Sequence, residues 1–140
     1  MLFEQIMKWQ GFPLAAAKQK VLELSRMEPA ALYAWQEVQR HDIVRFHLKH
    51  NPFYQSIAPA NFTNWEELPI LTKKSFQAPL SELLSDTFES VKDVYVGNTS
   101  GSSGHPFFYA KDKYAHALTW AHVASLYAQH GVTFRSKQAR

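Results

Sequence analysis

Val94-Tyr95-Val96-Gly97-Asn98-Thr99-Ser100-Gly101-Ser102-Ser103-Gly104-His105-Pro106-Phe107-Phe108-Tyr109 decides the architecture of this chain. Two β-type runs, Val94-Tyr95-Val96 and Phe107-Phe108-Tyr109, flank a segment rich in glycine and hydroxyl residues. β-branched and aromatic side chains suit a pleated, half-buried surface, and the proline keeps the chain extended as it enters the second run. Three of the five glycines lie between Gly97 and Gly104. Glycine lets peptide N–H groups close on an anion, and Ser and Thr hydroxyls add further donors. The pattern predicts a phosphate-cradling loop between two strands. A Walker loop would end in Gly-Lys-Ser/Thr and pass straight into a helix. Here a helix begins only after Lys111-Asp112. A Ser/Gly run is often a flexible linker, but linkers are seldom flanked by two β-type aromatic runs and a long apolar helix.

Working outward, Leu14, Ala17, Val21 and Leu24 recur at helical spacing and predict a first helix ending near residues 26–28. Pro29 suits the first turn of a second helix, with Leu32, Trp35, Val38, Ile43 and Phe46 facing inward and His50-Asn51-Pro52 as its stop. Thr63-Asn64-Trp65-Glu66 has capping-box spacing. Pro69 then blocks helix at Leu68, and Thr72 can cap the next short helix, with Lys73 and Lys74 as its solvated start. Another turn is expected over residues 81–84. The last helix, about 112–130, is apolar nearly all round through Ala115, Leu118, Trp120, Ala121, Val123, Ala124, Leu126 and Tyr127, so burial is expected, with Gly131 as its stop. Trp35, Phe46, Phe53, Tyr54 and Trp120 read as core or subunit-contact groups.

At 140 residues and 46% hydrophobic content the chain suits a globular piece with a real core. The net charge of +3 belongs to the tail: Arg135, Lys137 and Arg140 fall in the last six residues, leaving twelve basic against twelve acidic residues elsewhere. Nucleic-acid binding, which needs cations clustered on a folded face, is not expected. The absence of cysteine excludes disulfides, thiolate metal sites and a cysteine nucleophile. His47 with His50, and His116 with His122, lack a carboxylate to complete a ligand set, so no metal site is expected. The amino terminus has no basic n-region, and Glu4 interrupts its apolar run, so it does not read as a secretory signal. No run approaches the ~18 apolar residues of a membrane span. A cytoplasmic location is the expectation.

Thr99-Ser100-Gly101-Ser102-Ser103-Gly104-x-Pro106 between two strands resembles the signature phosphate loop of the adenylate-forming (AMP-binding) enzymes, the synthetases and ligases that make acyl-AMP. Asn51-Pro52-Phe53-Tyr54 and Leu68-Pro69-Ile70-Leu71-Thr72-Lys73 resemble amino-terminal landmarks of the phenylacetate–coenzyme A ligase branch, which includes homologues in capsular polysaccharide biosynthesis. The order and spacing agree, and the resemblance covers roughly residues 30–134.

The resemblance implies an α/β fold, a fragment of the large N-terminal domain of such enzymes. The whole chain would be a single partial domain: a mainly helical region over 1–90; strand, loop, strand and buried helix over 91–134; and a basic tail over 135–140. It also implies the chemistry. A carboxylic acid substrate attacks the α-phosphorus of MgATP, and coenzyme A or a similar acceptor then takes the acyl group. Thr99, Ser100, Ser102 and Ser103 would be hydroxyl and amide donors to the ATP phosphates, with Gly101 and Gly104 permitting close approach and His105 beside them. His105 and Phe107 stand where many members carry lysine. The family's Mg²⁺ ligands, ribose-binding Asp and catalytic Lys come later than the aligned region, so no catalytic residue is assigned and the 140-residue chain alone is expected not to complete adenylation. Two readings follow: the amino-terminal part of an AMP-forming acid–thiol ligase, or a non-catalytic remnant keeping a phosphate-binding or scaffold role. Neither the acid nor the oligomeric state follows from these residues.

Overall fold

The computed structural model describes residues 2–99, 106–133, 136 and 137. In chain order the elements are α1 (Leu2–Trp9), α2 (Leu14–Leu24), α3 (Pro29–His50), α4 (Pro52–Ile57), α5 (Leu80–Leu83), β1 (Tyr95–Asn98), β2 (Phe108–Lys111) and α6 (Lys113–Gln129). Short 3-10 turns lie at Trp65–Glu67, Lys73–Phe76 and Val91–Asp93. The architecture is helix-rich and mixed, with one two-stranded sheet among the described residues. It divides into two compact units, one from Met1–Leu32 with Lys111–Arg140, the other from Tyr33–Ala110.

In the first unit, α1 is an element the sequence reading did not anticipate. Gly11 ends it at φ +79, where Gly11 N–H donates to Lys8 O at 3.0 Å and Phe12 N–H to Met7 O at 2.9 Å. This is a Schellman closure, and the left-handed residue at its centre favours glycine. Gly131 ends α6 the same way, at φ +68, with Gly131 N–H bonded to Ala128 O at 3.0 Å and Val132 N–H to Tyr127 O at 2.9 Å. At the other end of α6 the Asp112 carboxylate accepts from Ala115 N–H at 2.8 Å, a cap that stabilises by about 1 kcal/mol.

The helical periodicity of Leu14, Ala17, Val21 and Leu24 is realised in α2. Leu14 and Ala17 pack with Ala117 and Ala121 of α6, ringed by Phe12, Val21, Leu118 and Trp120. Alanine at 17, 117 and 121 lets the two helices approach closely. The expectation that α6 is largely buried is corrected: His116, Ala117 and Ala121 are buried, while Leu126 and Tyr127 are exposed. The physical reason is that α2 supplies the main packing partner and covers one side.

The helix α3 starts on Pro29, has most of its length in the second unit and stops before Asn51-Pro52, as the sequence predicts. Its inward face differs from the expected one. Val44 is buried and Trp35 and Phe46 are half-buried, whereas Val38 and Ile43 are 56% and 53% exposed. Apolar residues are spread around α3, so periodicity alone could not select the covered face. The expected Thr63–Glu66 box is also corrected. Glu67, one residue on, receives Thr63 N–H at 3.0 Å and Thr63 Oγ1–H at 2.8 Å, because a 3-10 turn rather than an α-helix follows. No large side chain is fully buried among the described residues, and no described helix is long and apolar enough to cross a membrane.

Candidate functional site

β1 and β2 form an antiparallel pair whose register is set at two points. Thr99 N–H donates to Phe107 O at 3.0 Å, and Phe107 N–H donates to Thr99 Oγ1 at 3.1 Å. Two residues further from the loop, a Cβ placed on Gly97 would lie 2.6 Å from Tyr109 Cζ and 2.7 Å from its hydroxyl oxygen. Any larger residue at Gly97 therefore forces the Tyr109 ring of the neighbouring strand to shift. Seven residues, 100–106, connect Thr99 to Phe107. Of the assigned phosphate-loop residues, Ser100, Gly101, Ser102, Ser103, Gly104 and His105 lie outside the described residues, and Thr99 lies inside them at the mouth of the stem.

The two donors assigned to Thr99 have different fates. Its N–H is committed to Phe107 O, while its hydroxyl oxygen accepts from Phe107 N–H and keeps a proton to donate. Phe107 is an apolar anchor. Its ring centroid lies 5.9 Å from Phe76 and 6.1 Å from Tyr109, and Phe76 lies 5.6 Å from Phe53 of α4. A row of aromatics thus ties β2 to the Lys73–Phe76 turn and to α4. Offset and edge-on ring pairs of this kind each contribute about 0.5–1.5 kcal/mol beyond area burial. Thr72 opens that turn: its N–H donates to Ser75 Oγ at 3.1 Å, and Ser75 N–H returns to Thr72 O at 2.9 Å. Lys73 and Lys74 are exposed on the same turn.

A polar corner fixes the start of α4. Asn51, only 5% exposed, accepts from Tyr54 N–H at 2.8 Å and donates to Leu83 O at 2.9 Å and Ser85 Oγ at 3.3 Å. One residue earlier, His50 O accepts from Asp86 N–H at 2.7 Å, and His50 Nδ1 lies 3.0 Å from Asp86 Oδ1. In the sequence Asn51 stood as part of the stop of α3 and of a landmark, not as a buried hub. Its offset before Pro52 is the capping signal, but its contacts over 30 residues away leave no local trace.

Burial lowers the His47 pKa below its ordinary 6.5. His116 is lowered too, first by burial and then by the Lys111 charge, and its Nε2 accepts from Trp120 Nε1–H at 3.1 Å. In the first unit the Lys18 ammonium, 2.7 Å from Glu4, holds that carboxyl below its usual range. The Glu67 carboxyl is lowered by its bonds from Thr63, then Asn64. No group of three or more His, Cys, Asp and Glu able to hold a metal occurs among the described residues. The chain matches no family model, no curated protein and no solved structure.

Proposed function

We propose that the strand–loop–strand of the second unit binds the phosphates of ATP or pyrophosphate, and that the chain supplies the amino-terminal part of an AMP-forming acid–thiol ligase. The observation that carries this reading is the closed stem. Thr99 and Phe107, joined by two hydrogen bonds, bracket a seven-residue connection rich in Ser and Gly. Successive peptide N–H groups of a Ser- and Gly-rich segment suit the binding of an anion. The Thr99 hydroxyl at the mouth, whose oxygen accepts from Phe107 N–H, is by its chemistry also a donor. The order of three landmarks along the sequence supports the family part of the reading.

In the proposed reaction a carboxylate attacks the α-phosphorus of MgATP, the bond to the β-phosphate oxygen breaks, and pyrophosphate departs. Coenzyme A or a similar thiol then displaces AMP from the acyl-adenylate. Charge builds on the departing pyrophosphate, so fixed donors facing those oxygens lower the barrier without reorganising. Thr99, Ser100, Ser102 and Ser103 take that role, with Gly101 and Gly104 allowing close approach. Magnesium enters as MgATP, and no ligand for it is assigned here.

Calorimetric titration with MgATP and with pyrophosphate tests the reading. The wild-type chain is expected to bind, and the combined Ser102→Ala and Ser103→Ala variant to bind about tenfold or more weakly, as loss of two charge-assisted donors implies. Equal affinity in both proteins contradicts it.

A further inference from the structure

The eight residues of α1 divide into three sectors around the helix axis. At about 100° per residue, Phe3 and Met7 share one sector, Ile6 and Trp9 the next, and Glu4, Gln5 and Lys8 the third. The first sector is used by the fold: Phe3 packs on Trp120 of α6 at 5.0 Å, and Met7 is buried. The second is apolar as well, yet Ile6 is 43% and Trp9 85% exposed. Only part of the apolar arc of α1 is covered by the protein. The charges near this bare side are cationic. Glu4, the one carboxylate on α1, lies roughly 150° round the helix from Ile6 and Trp9, and Lys18 pairs with it at 2.7 Å. Lys8 is exposed in the polar sector beside Trp9. Lys113 Nζ stands at the end of the helix, 3.6 Å from where a Cβ on Gly11 would lie. The first unit holds nine Lys and Arg against four Asp and Glu, and six of the nine precede the basic tail.

Area and charge together select what this face meets. Most of a tryptophan and half of an isoleucine expose on the order of 300 Å², well short of the roughly 800 Å² per partner that a stable protein–protein interface needs. A bilayer surface needs no such area. There an indole sits with its ring among the acyl chains and its N–H at headgroup level, and lysine stems reach back to anionic phosphates. We propose that α1 seats the first unit on an anionic phospholipid surface, a property separate from the phosphate-loop reading and not resting on it. Ile6 and Trp9 enter the boundary between headgroups and acyl chains, and Lys8 and Lys113 pair with the headgroups. Phe3 and Met7 stay in the protein and hold the helix to the unit, so the contact is peripheral and no segment crosses the bilayer.

The test is co-sedimentation of the full chain with vesicles of phosphatidylcholine alone, and with vesicles in which about a third of the lipid is phosphatidylglycerol. The wild-type chain should bind the anionic vesicles about tenfold or more tightly than the zwitterionic ones, and should weaken as salt rises. The combined Ile6→Ser and Trp9→Ser protein should lose about tenfold or more on the anionic vesicles. Both side chains are exposed, so the fold should survive, and far-UV circular dichroism checks it. Lys8→Gln should cost about fivefold on anionic vesicles and nothing on zwitterionic ones. The Ile6→Leu, Trp9→Tyr protein, which keeps an apolar and amphipathic pair, should stay within a few fold of wild type. Failure of the wild-type chain to bind anionic vesicles would overturn the proposal, as would undiminished binding by the double serine protein. Sedimentation equilibrium covers the other occupant: a wild-type dimer that the double serine change abolishes, with no vesicle binding, would assign the face to a second copy of the chain and overturn the lipid role.

Discussion

Replacing Asn51 with alanine removes three hydrogen bonds from one buried point. The cap on Tyr54 N–H at 2.8 Å is worth about 1 kcal/mol. The donations to Leu83 O at 2.9 Å and Ser85 Oγ at 3.3 Å contribute roughly 1 kcal/mol together to 1 kcal/mol each, and their loss strands acceptors in a site where Asn51 and Ser85 are both 5% exposed. The expected cost is therefore about 2–4 kcal/mol. Asn51→Ser should recover about 1 kcal/mol of that, since serine caps a helix but is too short to reach Leu83. Ser85→Ala, which leaves two of the three bonds, should cost under about 1 kcal/mol. Urea unfolding gives the global values, and hydrogen exchange at the Tyr54 and Asp86 amides reads the corner itself. An Asn51→Ala protein within about 0.5 kcal/mol of wild type, or no gain from serine over alanine, would refute the reasoning.

Gly97→Ala should destabilise by about 1–3 kcal/mol, because its Cβ would sit 2.6 Å from the Tyr109 ring. Adding Tyr109→Ala should remove most of that penalty, so a double-mutant cycle in urea should show coupling above about 0.5 kcal/mol. Gly131→Ala meets open space yet must hold φ +68, and should cost roughly 1–2 kcal/mol in thermal unfolding from backbone strain alone. Stability should fall as pH drops from 7 towards 5. His47 and His116 have folded pKa values lowered by burial, so folding favours their neutral forms; the stability is fully present above 6.5 and is lost as pH falls through that value towards the folded ones. Protonating His116 also removes the acceptor for Trp120 Nε1–H. The combined His47→Gln and His116→Gln protein should show a flatter stability profile over that range in urea titrations at each pH.

The elements easiest to foresee were those with local signals. Pro29 and Asn51-Pro52 bracket α3, Gly131 stops α6 and Thr72 opens its turn, each through a constraint carried by one or two residues. What escaped was set by partners distant in sequence. Val38 and Ile43 are exposed while Val44 is buried, because what covers α3 is decided by tertiary contacts that its scattered apolar residues do not encode. At the candidate site, Thr99 was assigned from the composition of its segment. Its division of labour, N–H spent on Phe107 O and hydroxyl proton kept, depends on strand register, which composition leaves open. The anchoring of Phe107 by Phe76, 31 residues earlier, had no sequence signature beyond two aromatic letters.

The most direct measurement is a pyrophosphate titration of isotope-labelled protein followed amide by amide. The Gly101 and Gly104 signals should move strongly and saturably, with smaller shifts at Thr99 and Phe107 as the stem adjusts, and the amides of α2 should stay still. Saturable shifts confined to α2 and α6, with Gly101, Gly104 and Thr99 unmoved, would contradict the phosphate-binding loop.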